Sequence, residues 1–143
     1  MDAFKRRALI AHIEALDVAH PVVPVVTATR FFDGNDDDAC IAANLYEHPG
    51  VARFAAVVAT LEARPDVQEV LVAITDLMAE DEGSWPYTDT LFVLTSADAT
   101  AVASWMAEFT PDEVEPDFAS DADAPVGAPA LAPGMRAVRV WWD

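Results

Sequence analysis

Two stretches of this chain are apolar at every position, and no other feature narrows the fold as much. Val70-Leu71-Val72-Ala73-Ile74 and Leu91-Phe92-Val93-Leu94 are rich in β-branched and large residues and are flanked by acids and prolines, the pattern of strands. Side chains alternate between the faces of a strand, so a sheet built from these runs has two apolar faces. Burying one such side chain is worth roughly 1.5–3 kcal/mol, so neither face can stay open. One layer of helices covers one face. The other calls for the N-terminal helix of the same chain or, as the alternative, the sheet of a second subunit.

Helical periodicity recurs three times. Leu9, His12, Ile13 and Leu16 fall at i, i+3, i+4 and i+7, as do Phe54, Val57, Val58 and Leu61, and again Val102, Trp105, Met106 and Phe109. Asp2 is placed to cap the first helix, which ends at His20-Pro21. Ser96 and Asp98 are alternative caps for the third, which ends at Thr110-Pro111. Lys5, Arg6 and Arg7 occupy the first turn of the first helix, where the helix dipole disfavours cations, so they are expected to pair with acids elsewhere. His12 is expected to be a core histidine.

Between the helices, residues 22–32 (VVPVVTATRFF) and 39–45 (ACIAANL) read as strands joined by the turn DGNDDD, a β-hairpin with an acidic tip. Residues 67–77 and 88–95 form a second hairpin around the acidic turn MAEDEGSWPY, and residues 135–142 close the chain as a strand. Residues 111–134 hold five of the ten prolines, six acids and no basic residue. They read as an irregular acidic segment pinned by Phe118 and Leu131. The order after Asp38 is β-α-β-β-α-β. The expectation is one domain over 1–143 with an α+β, ferredoxin-like sandwich of four to five mainly antiparallel strands, plus an added N-terminal helix and strand.

The 143 residues carry 25 acids against 8 lysines and arginines, a net charge of −17. That balance argues against nucleic acid or an anionic membrane surface as partner. No apolar run approaches the ~20 residues of a membrane span, and the expected location is cytoplasmic.

The chemistry-bearing motifs fail one by one. DGNDDD resembles a calcium loop, but the sixth residue from Asp33 is Asp38 rather than glycine and the twelfth is Asn44. One cysteine and three histidines offer no zinc spacing. A strand between Cys40 and His48 would hold them roughly 16 Å or more apart, beyond nucleophile–base reach. Ser84 lacks the nucleophile elbow, and no phosphate-binding glycine loop is present. Neither a cofactor nor a catalytic residue is indicated.

What remains is the placement of charge. The acids gather in 33–38, 76–89 and 108–123, so the leading expectation is a non-enzymatic interaction module that binds a basic protein surface. The candidate contact residues are Asp33, Asn35, Asp36, Asp37 and Asp38 at the first acidic turn, Trp85 and Tyr87 at the second, and Arg139 with Trp141 on the last strand. Trp142 is assigned to the core, and Trp85-Pro86-Tyr87 has the alternative role of a plug at the core's end. Two other readings stand beside the first. One is a small-ligand or cation-binding domain, which could be an enzyme, with its pocket near Trp85, Tyr87 and the 33–38 turn. The other is a homodimer whose acidity serves only solubility or high-salt adaptation.

The stretch FFDGNDDDACIAANL, with HPGVARF, DVQEVLVAI, WPYTD and the terminal VWWD, resembles a family of small uncharacterised bacterial proteins over nearly the whole chain. The resemblance implies one compact domain and adds no chemistry. In size and acidity the chain is also similar to bacterial immunity and inhibitor proteins, by composition alone.

Overall fold

The computed structural model describes residues 1–143. Helix α1 (Ala3–Ala15) starts at Asp2, whose carboxylate accepts the Lys5 amide at 3.0 Å. It turns Leu9, Ile10 and Ile13 inward, while His12 is only half-buried. Strand β1 (Val25–Thr27) is short. Thr27 is both its last residue and the cap of helix α2 (Ala28–Phe32), its hydroxyl accepting the Arg30 amide. The β-branched run 22–32 is therefore only briefly a strand. One capping hydroxyl converts its second half into a helical turn that buries Phe31.

The expected strand at 39–45 is absent as well. Asp37 caps a 3-10 turn over Asp38–Cys40, and Asp38 reaches forward to accept the Val51 amide at the start of helix α3 (Val51–Glu62). A single parallel bridge between Ile41 and Thr88 is all the sheet pairing that remains there. Strands β2 (Val67–Ala73) and β3 (Thr90–Thr95) form the expected antiparallel hairpin, and helix α4 (Ala99–Trp105) follows, capped by Asp98. Strand β4 (Glu113–Pro116) arises within the segment expected to be irregular, and strand β5 (Arg136–Trp141) closes the fold.

The five strands form one antiparallel sheet in the order β1-β2-β3-β5-β4. The fold is thus α+β with a five-stranded antiparallel sheet, but the ferredoxin-like order is replaced by a meander whose last two strands are exchanged. The reason is local. That order needs a strand directly before α3, and the Asp37 and Asp38 side chains hold this backbone in a turn. The place beside β2 is taken by β1, which pairs Val25 with Ala73.

Both faces of the sheet are apolar, as alternation requires, and each has its own cover. Val70, Val72, Leu91, Val93, Val138, Val140 and Trp142 join the helices in the larger core, together with Leu9 and Ile13 of α1. On the other face Val25, Leu71, Ala73, Leu94 and Ala137 lie beneath Phe118, with Ala124, Ala128 and Leu131 alongside. The second face is therefore covered by the proline-rich segment itself, not by α1. Phe118 and Leu131 do pin it. Gln68 adds a clamp, donating to the Ala130 carbonyl at 2.9 Å and accepting the Ala132 amide at 2.9 Å. At its far reach the strap hydrogen-bonds β1 through Val25 N–H and the Val126 carbonyl. There Gly127 has φ +97°, and a Cβ would clash with the Val25 carbonyl oxygen, so only glycine allows this approach.

Candidate functional site

Ala73 pairs with Thr90, Thr90 with Trp141, and Trp141 with Glu113, so these four residues mark one end of the sheet. The 74–89 connection, Asp112 and the terminal Asp143 lie at this end, and the Asp143 amide donates to the Asp112 carboxylate at 2.8 Å. The opposite end, where Val67, Thr95 and Arg136 meet, carries Arg136 and the Arg64–Asp66 ion pair.

Two of the three acidic segments are brought together. Asp37 accepts the Ala39 amide through one carboxylate oxygen and the Trp85 amide, 48 residues away, through the other at 2.9 Å. Asn35 accepts the Asp37 amide, and its own side-chain amide donates to the Phe31 carbonyl and the Cys40 sulfur. The Met1 ammonium pairs with Asp36 at 2.9 Å and Lys5 with Asp33 at 2.7 Å. The 33–38 turn is consequently built by its acids. Asp37 and Asp38 hold backbone N–H groups, and Asp33 and Asp36 hold cations.

Arg6 completes the junction. Its side chain is 5% exposed and donates to three carbonyl oxygens of the second acidic loop: Met78 and Ser84 at 2.7 Å and Asp81 at 2.8 Å. Hydrogen bonds to a charged group are worth about 1.5–3 kcal/mol each, and here they replace the water that burial removes. Met78, at φ 52°, turns the chain so that these carbonyls converge. The sequence does hold the signal for Arg6: three basic residues stand where the helix dipole opposes them, which asks for a strong compensating partner. The partner is the loop's main chain rather than an acid.

The loop's carboxylates stay outside. Asp81 is held below its usual range by the Ser84 hydroxyl, the Gly83 amide and the nearby Arg6 charge. None of Asp76, Glu80, Asp81, Glu82 and Asp89 takes part in an ion pair. Trp85, at 1% exposure, sits in the helix-side core, and its indole N–H has no partner. Tyr87 is half-buried, its main chain bridging to Asp76 and its hydroxyl facing the Ala43 amide at 3.4 Å.

Arg139 and Trp141 are not part of this cluster. They project from the strap face of β5, opposite Val138, Val140 and the fully buried Trp142, whose indole N–H donates to the Phe109 carbonyl. Arg139 gathers Glu113, Glu115 and Asp117 from the third acidic segment at 3.0, 3.3 and 3.6 Å. Within that segment Asp112 lies at the acidic end, and β4 then runs away from it.

Cys40 and His48 serve the scaffold. Burial pushes the Cys40 thiol up to about 12, against a smaller opposing effect from Asn35. His48 accepts the Gly50 amide at Nδ1 and donates from Nε2 to the Ile41 carbonyl, so both ring nitrogens are engaged. No group of three His, Cys, Asp or Glu side chains converges as a metal site requires. No helix is long and apolar enough to cross a membrane. A separate cleft of about 470 Å³, between the C-terminal end of α1, residues 17–24 and the exit of β2, was not foreseen from the sequence.

No solved structure matches the chain. A relative from Escherichia coli (strain K12), the uncharacterized protein YfbO, is 28% identical over 130 residues, which cover 89% of each chain. The family model described as the uncharacterized protein YfbO family matches residues 4–140, a span that includes Arg6, both acidic loops and the five strands up to Val140. The chain therefore belongs to the uncharacterized protein YfbO family.

Proposed function

We propose that this protein is a non-enzymatic interaction module that docks a basic protein surface against the acidic end of its sheet. One observation carries the reading: the acids of 76–89 remain without cations although a buried arginine lies in their midst, because Arg6 is engaged by carbonyl oxygens. A cluster of exposed, uncompensated carboxylates on a well-anchored loop attracts a cationic partner over long range and accelerates encounter. Within the 33–38 turn, Asp33 and Asp36 are paired with cations, and Asp37 and Asp38 contribute by holding the loop in shape. Arg139 and Trp141 belong to a different face and are not included in the docking surface.

Capture from a bacterial lysate at ~50 mM and ~500 mM salt tests the reading, since screening over this range shortens the reach of exposed charges several-fold. The expected result is a basic protein retained at low salt and released at high salt. Retention should be weakened in the Glu80→Gln/Glu82→Gln variant, whose thermal unfolding should match that of the unaltered chain. Retention that ignores salt, or no partner at low salt, overturns it.

A further inference from the structure

The cleft beside α1 combines three features. Its volume, about 470 Å³, is within the usual ~300–1,000 Å³ range of small-molecule sites. Half of its lining is apolar, including Ile13, Val18, Ile74 and Leu77, with two of the chain's few exposed large hydrophobic residues, Val22 at 56% and Val23 at 37%. Its rim is negative. Glu14 and Asp17 line it, neither takes part in an ion pair, and the C-terminal end of α1 adds the negative pole of the helix dipole. The other titratable side chain on the rim is His20, which opposes a cation only when protonated.

We propose that this cleft binds a small organic cation with an apolar body, its ammonium group held by Glu14 and Asp17 at the C-terminal end of α1 while the hydrocarbon part covers Val22, Val23 and Ile74. The cleft takes none of its walls from the 33–38 turn or from Trp85, and the inference stands apart from the docking role. A neutral molecule of the same shape would gain only the apolar contact, and an anion would be repelled.

The test is a titration of the isotope-labelled full chain, followed by amide chemical shifts. The probes are hexylammonium, hexanol, hexanoate and methylammonium. Hexylammonium is expected to saturate with shifts confined to residues 13–23 and 74–77. Hexanol should bind at least ~5-fold more weakly, as expected for loss of two exposed charge contacts and a helix-dipole contact. Hexanoate and methylammonium should give no saturable shifts. In the Glu14→Gln/Asp17→Asn variant the second change falls where the backbone has φ 51°, a conformation that asparagine tolerates as aspartate does. It should reduce hexylammonium affinity to that of hexanol and leave hexanol unchanged. Equal affinity for hexanol and hexylammonium, or hexylammonium shifts spread over the whole acidic surface, overturns the proposal. So does a variant that weakens both probes alike.

Discussion

On one face of the sheet Phe54 stacks on Phe109 with ring centroids 4.1 Å apart and meets Trp142 edge-on at 5.7 Å, all within a core of 25 buried residues closed by helices. On the other face five buried sheet residues lie under a strap with no helix beyond one 3-10 turn, and the main aromatic contact is Phe92 against the strap's Phe118, tilted at 5.7 Å. The two covers solve the same problem with unequal means. Helices satisfy their own backbone and offer a dense apolar stripe. The strap must borrow its hydrogen bonds from Gln68, Val25 and Ala137, and its prolines reduce the number of donors it has to satisfy. A segment of low helix and strand propensity can thus form a layer, provided that a few side chains fix it point by point. The expected consequence is unequal local stability, with the strap opening before the helix face.

Three substitutions bear on this difference. Phe54→Ala removes the centre of the aromatic cluster and is expected to cost about 3–5 kcal/mol in denaturant unfolding, lowering the protection of the whole sheet together. Phe118→Ala should cost less, roughly 2–3 kcal/mol, because a strap can settle into the vacated space more easily than packed helices can. Its signature is faster hydrogen exchange at the Val25 and Ala137 amides, which bond the strap, with helix-side amides unchanged. Equal losses and identical exchange patterns in the two variants would mean that the faces unfold as one unit. Gln68→Ala should have the smallest effect, about 1 kcal/mol for two partly exposed hydrogen bonds, and exchange should quicken only around residues 130–132. If it opens the strap as widely as Phe118→Ala does, the clamp rather than the aromatic contact holds the second layer.

The helix-side architecture was legible because its signals are periodic and local. Leu9 and Ile13 of α1, Phe54, Val58 and Leu61 of α3 and Val102 of the short α4 turn inward at helical spacing, the β2–β3 hairpin follows from two apolar runs around an acidic turn, and the alternation in β5 places Trp142 inward. The misreadings occur where one polar side chain outweighs the propensity of its neighbours. Thr27 makes a helix of residues that favour strands, and Asp37 with Asp38 turns ACIAANL away from the sheet. Strand β4 was hidden because its register comes from Arg139 across the ladder, a partner 24 residues from Glu115.

The candidate site was legible as composition and illegible as wiring. Asp37 of the first turn does meet Trp85 of the second loop. Which carboxylates support the fold and which face solvent depends on contacts over 48 to 78 residues, such as Asp37 with Trp85 and Arg6 with Ser84. The cleft beside α1 is assembled from two distant pieces of chain and leaves no motif to read.

The carbonyl cage around Arg6 separates two properties that usually change together. Dissolved ions weaken exposed charge pairs within a Debye length but have little access to a guanidinium enclosed by main-chain oxygens. Raising ionic strength therefore dims the molecule's negative pole without loosening the loop that carries it, so the same surface can be silenced by its medium and return, unaltered in form, on dilution.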